Sequence, residues 1–84
     1  MLTLNYFASI REAVGKESGT LEMPESISTV GELISYLVNE VSDQHAVLED
    51  EAQALIAVNQ TVVDRHHQLT GNEEVAFFPP MTGG

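Results

Sequence analysis

Eighty-four residues bound a single small domain. The chain has no cysteine, which excludes disulfides, thiolate metal sites and a ferredoxin-type cluster. Thirteen acidic side chains against Arg11, Lys16 and Arg65 give a formal net charge of -10, which makes nucleic acid, anionic membranes and free polyphosphate poor partners and a basic protein surface a good one.

Leu2, Thr3, Leu4, Asn5 and Tyr6 alternate apolar and polar, the period of a strand with Leu2, Leu4 and Tyr6 turned inward. Phe7 then falls on the other face with Thr3 and Asn5. Ser9 and Glu12 have the spacing of a capping box, and Gly15 can take the left-handed conformation that closes a helix, so one short helix is expected between them. Residues 19–23 offer a weaker strand with Leu21 and Met23 inward, ended by Pro24. Thr29 and Glu32 form a second capping box opening the main helix, on which Val30, Leu33, Ile34, Leu37, Val38 and Val41 follow one stripe of a 3.6-residue period. At about 1.5 to 3 kcal/mol for each side chain fully buried, this stripe is the largest block of core.

Residues 42–50 are expected to hold a short irregular helical turn with apolar contacts from Ala46, Val47 and Leu48, while His45 needs no role. Residues 54–58 read as a strand, Asn59 and Gln60 as a turn, and Thr61, Val62 and Val63 as a short strand pairing back. A turn at residues 70–72 precedes a last strand over residues 74–78, with Val75 and Phe77 inward and Glu74, Ala76 and Phe78 outward. His66 and His67 beside Asp64 read as a solvated loop, not a metal site, because no third ligand has suitable spacing. Glu49, Asp50 and Glu51 read as a solvated face. No apolar run approaches the length of a membrane span and residues 1–8 hold no basic segment, so a cytoplasmic protein is expected. Helices on one face of a mixed sheet make an α+β fold, with one domain over residues 1–80 and a flexible tail over residues 81–84.

Pro79 and Pro80 should stop the last strand from pairing further and send the chain off the body in extended form. Residues 79–84 could then span at most roughly 20 Å, enough to enter another protein's cleft. Gly83 and Gly84 have no Cβ, so they fit a narrow channel and leave the Gly84 carboxylate open to attack.

The run VAFFPPMTGG, with LIAVNQTVV and NYFASIREAVG upstream, resembles the small subunit of molybdopterin synthase over nearly the whole chain. Gly-Gly ends are shared with ubiquitin and the thiamine-pathway sulfur carrier; Phe77-Phe78-Pro79-Pro80 at this distance from the end is the specific part. The resemblance implies a ubiquitin-like β-grasp fold with five strands, in which the first and last strands are neighbours. Phe7 and Phe78 would then share one surface with Val62 and form a partner interface. It also implies chemistry performed on the chain. An adenylating, E1-like enzyme would use ATP to activate Gly84, a sulfur donor would leave a thiocarboxylate, and that sulfur would pass to cyclic pyranopterin monophosphate in the pocket of a large catalytic subunit. Two small and two large subunits are implied, because the product takes two sulfurs. Met81 and Thr82 serve as spacer, Pro79 and Pro80 as exit, Gly83 as the threading residue. No bound cofactor and no metal are expected, and the chain is not catalytic alone. Alternatives are a thiamine-pathway-type carrier, a ubiquitin-like modifier joined to lysines through Gly84, and a plain β-grasp interaction module.

Overall fold

The alternation at the start of the chain is obeyed to the residue. In β1 (Leu2–Tyr6), Leu2, Leu4 and Tyr6 are buried while Thr3 is exposed. The structure, a computed structural model, describes residues 1–80. β1 is followed by α1 (Ala8–Val14), β2 (Ser18–Leu21), α2 (Val30–Tyr36), β3 (Leu55–Val58), β4 (Thr61–Val63) and β5 (Glu74–Phe78), with a π turn (Leu37–Val41) and a 3-10 segment (Asp43–Glu49) between α2 and β3. The five strands form one mixed sheet in the order β2-β1-β5-β3-β4. β1 and β5 pair in parallel, Tyr6 opposite Phe77, and the other neighbours are antiparallel. Inward side chains of β1, β3 and β5 meet Ile10 and Val14 of α1 and Val30, Leu33 and Ile34 of α2 in one core. This is the expected α+β architecture.

The second capping box forms as read. The Thr29 hydroxyl accepts from the Glu32 N–H at 3.2 Å, and the Glu32 carboxylate accepts from the N–H groups of Ser28 (2.8 Å) and Thr29 (3.0 Å). These bonds, the backbone one from Ser28 foremost, hold the Glu32 carboxyl below its ordinary range. The loop between β4 and β5 satisfies further N–H groups at the start of α2: Val30 N donates to His67 O at 3.0 Å and Gly31 N to Arg65 O at 2.9 Å. A Cβ at Gly31 would stand 3.3 Å from that Arg65 oxygen, so the glycine lets the loop close on the helix.

The apolar stripe runs true as far as Leu37 and then drifts. Val30, Leu33, Ile34 and Leu37 are buried and Val38 is half-buried, but Val41 is 46% exposed. The cause is the π turn, where Ser42 N donates five residues back to Leu37 O at 2.9 Å. The wider turn advances each residue by less than an α-helix does and swings Val41 off the stripe.

Three other expectations are corrected. Ser9 does not cap α1, because the β1–β5 ladder continues past the strand end: Phe7 N donates to Phe77 O at 3.0 Å, and the Phe7 carbonyl then accepts from Ile10 and Arg11. Phe7 is therefore the cap residue, Ala8 turns the corner at φ 51, and Ser9 already lies inside the helix. The second strand covers Ser18–Leu21 rather than residues 19–23, set by Asn5 pairing with Ser18 and Leu2 with Leu21. His45, given no role, is 1% exposed, whereas Ala46 beside it is exposed. The His45 Nδ1 lies 2.9 Å from Ser42 O, which can only accept, so Nδ1 carries the proton and Nε2 accepts from the Tyr6 hydroxyl at 3.2 Å. Burial pushes that hydroxyl's pKa up to about 12, so it keeps its donor proton.

The turn at Asn59 and Gln60 has φ of 49 and 71, both left-handed, as a two-residue hairpin of type I′ requires. Asparagine tolerates that region; glutamine gains nothing from it. We expect Gln60→Gly to raise stability by up to about 1 kcal/mol in urea denaturation, with an unchanged or lower midpoint refuting the strain. Leu33 is fully buried in α2, and Leu33→Ala should cost about 2 to 5 kcal/mol in the same measurement.

Candidate functional site

The outer sheet face and the end of β5 belong together because of strand register. Val75 and Phe77 are fully buried, so Glu74, Ala76 and Phe78 face out. Tyr6 opposite Phe77 places Phe7 beside Phe78, and Phe78 pairs across with Leu55 of β3. Phe7, Phe78 and Leu55 thus form one row next to the exit of the chain. The next row runs Asn5, Ala76, Ala57, Val62 across β1, β5, β3 and β4. Phe7 is 49% exposed, Val62 63%, and Phe78 and Leu55 are half-buried.

Of the three aromatic and aliphatic positions picked from sequence, the register therefore joins Phe7 to Phe78 and sets Val62 on the same face two strands from β5. Leu55 was missed. Its signal was the alternation of Leu55 and Ala57 against the inward Ile56 and Val58, which a run of five apolar residues hides.

Beneath this face, Tyr6 stacks on Phe77 with ring centroids 5.5 Å apart and 14° between planes. His45 meets Tyr6 edge-on, with ring centroids 5.7 Å apart. The last strand is thereby clamped one residue before Phe78. Its beginning is held as firmly. The Glu73 carboxylate, 8% exposed, accepts from Thr70 N (2.6 Å), Thr70 Oγ1 (3.0 Å), Gly71 N (2.8 Å) and Asn72 N (3.1 Å). Burial pushes its pKa up, but the bonds from Thr70 and Gly71 together outweigh burial and leave it lowered. The Asn59 side chain and backbone grip the next residue, accepting from Glu74 N at 3.0 Å and donating to Glu74 O at 2.8 Å.

The strand ends at Phe78, and Pro79 and Pro80, half-buried, follow without strand pairing. Met81, Thr82, Gly83 and Gly84 lie outside the described residues. Among the described residues no three His, Asp or Glu side chains gather as a metal-binding group, and Asp64 instead accepts from the His66 N–H at 2.8 Å. No described helix is long and apolar enough to cross a membrane.

A strand that is clamped at both ends and stops against two prolines, four residues short of Gly84, is matched by a family model. The ThiS family model covers residues 4–84. The chain belongs to the ThiS family. The molybdopterin synthase sulfur carrier subunit of Escherichia coli K12 is 40% identical over 84 residues, all of both chains. A solved Pyrococcus furiosus protein described as molybdopterin converting factor subunit 1 superposes with a TM-score of 0.74 at 26% identity, covering 95% of this chain and 97% of that one. SAMP1 of Haloferax volcanii superposes at 0.72 with 22% identity over 99% and 98% of the two chains, a likeness of fold. The fold is the ubiquitin-like β-grasp.

The Glu32 and Glu73 carboxyls carry the same pH sign. A carboxyl whose folded pKa is lowered stabilises the fold above its unfolded value, 4.5 for Glu73, and that stabilisation is lost as pH falls through the folded pKa. Stability should fall on acidification below about 4.5. Glu73→Gln, which faces an amide toward N–H donors, should cost about 1 to 3 kcal/mol at neutral pH and flatten this acid limb in melts taken across pH.

Proposed function

We propose that this chain is the sulfur-carrier subunit of a molybdopterin synthase. The observation that carries the reading is the 40% identity to the E. coli sulfur carrier subunit over the full length of both chains, in a chain that ends Phe77-Phe78-Pro79-Pro80 and then Gly83-Gly84. The register of β5 supports it, since a strand locked at Phe77 aims the residues beyond Pro80 from a fixed point.

In this reading a carboxylate with no good leaving group is first made reactive. An E1-like enzyme joins the Gly84 carboxylate to the adenylyl group of ATP and releases pyrophosphate. A sulfur donor then displaces AMP, leaving a thiocarboxylate. That sulfur is a soft nucleophile at neutral pH and needs no cysteine, consistent with a chain that has none. In the large subunit's pocket it attacks a side-chain carbon of cyclic pyranopterin monophosphate, forming a carbon–sulfur bond as a carbon–oxygen bond at that carbon breaks and the oxygen departs. Hydrolysis of the resulting acyl intermediate returns Gly84 as carboxylate and leaves the sulfur on the pterin, one of the two that make the dithiolene. Two carriers on two large subunits match that count.

Residues divide the work by chemistry. Gly84 carries the sulfur, and Gly83 threads a narrow channel. Met81 and Thr82 set the reach from Pro79 and Pro80. Phe7, Phe78 and Val62, with Leu55, dock the sheet face on the large subunit. The basic side chains that hold a phosphorylated substrate belong to that partner, because this chain has only three.

The test is the intact mass of the chain made together with its activating enzyme and sulfur supply. We expect a gain equal to sulfur replacing one oxygen, absent when Gly84 is deleted and lost on incubation with the large subunit and pterin precursor. An unmodified mass with a working activating enzyme would sink the carrier reading, and lysine-linked adducts would put a modifier in its place. Phe78→Ala should weaken binding to the large subunit more than it lowers the melting temperature of the isolated chain; equal losses would return Phe78 to the core.

A further inference from the structure

The outward positions of the five strands carry one charged side chain, Glu74, although the chain holds thirteen acidic residues. Glu74 is exposed and sits on β5, the middle strand of the sheet. It lies one outward step from Ala76 and two from Phe78, against the apolar rows. Its backbone is fixed on both sides by Asn59, and its Oε2 accepts from Asn5 Nδ2 at 3.1 Å. That bond orients the carboxylate over β1 and leaves Oε1 with no hydrogen bond among the described residues. A face depleted of charge around an apolar row has the composition of an interface core. A lone carboxylate in such a core is costly to desolvate unless a cation meets it.

We propose that Glu74 is the electrostatic specificity contact of the docking face: the large subunit sets an arginine or lysine side chain against its free oxygen. This rests on the docking reading above and adds the chemistry of the surface that reads it. The apolar rows supply burial but accept any apolar surface of matching shape. A carboxylate held at one place by Asn5 and Asn59 rejects a partner that brings an apolar or acidic group to the same spot. The strongly acidic remainder of the chain steers the same basic partner from a distance, so charge acts both on approach and in the seated complex.

The experiment is titration calorimetry of the full chain with the purified large subunit at low and high salt. Glu74→Gln keeps an oxygen for Asn5 Nδ2 and should melt like the unsubstituted chain. It should bind about 30-fold more weakly or worse and show a flatter salt dependence. Asn5→Ala keeps the charge and loses the hydrogen bond; it should retain the salt dependence and most of the affinity. Phe78→Ala should weaken binding with the salt dependence intact. If Glu74→Gln binds as tightly as the unsubstituted chain with the same salt slope while Phe78→Ala weakens, the Glu74 contact is overturned and the docking reading stands. If the unsubstituted chain does not bind the large subunit at all, both fall.

Discussion

Parallel pairing of β1 with β5 decides both faces of this molecule. With Tyr6 opposite Phe77, every odd step from that pair points one way and every even step the other, and a slip of one residue would exchange core for surface. The stack of Tyr6 on Phe77 makes such a slip costly, because it would expose two aromatic rings that are now fully enclosed. The outer row of Phe7 and Phe78, the burial of Val75 and the point at which the chain leaves the sheet all follow from that one register.

The helical layer serves the same strand from behind. α1 lies over β1 and β5, and the 3-10 segment brings His45 onto the Tyr6 hydroxyl. A buried hydroxyl with a partner is tolerated where an orphan is not. The Glu73 turn and Asn59 hold the near end of β5, so the strand is fixed along its length by three separate elements. A fixed strand is what a terminal segment needs if its reach, and not its wandering, is to determine where Gly84 arrives.

Alternation made β1 and β5 legible from residues alone, and the four residues Val30, Leu33, Ile34 and Leu37 made α2 legible, because each pattern depends on burial against one flat neighbour. Val41 was not legible in that way. A stripe assumes one helical period throughout, and nothing in LVNEV announces a π turn. Ser9 failed for a different reason. Its spacing to Glu12 is right for a cap, but the ladder to β5 runs on through Phe7, and a tertiary hydrogen bond outranks a local motif. His45 was passed over because a lone histidine in a polar stretch has no period; only the fold shows that it faces Tyr6. At the candidate site, the two phenylalanines and the proline pair stood out by kind, whereas Leu55 was hidden in an apolar run and Glu74 looked like any other member of an acidic surface.

The segregation of charge also bears on what this chain does when alone. An apolar sheet face left open invites a second copy, and two β-grasp domains could cover each other's rows by a two-fold rotation. Each copy, however, carries -10, and each brings its own Glu74 to the shared plane. Like charge therefore works against that self-pairing, a repulsion that a surface of the opposite sign would not meet.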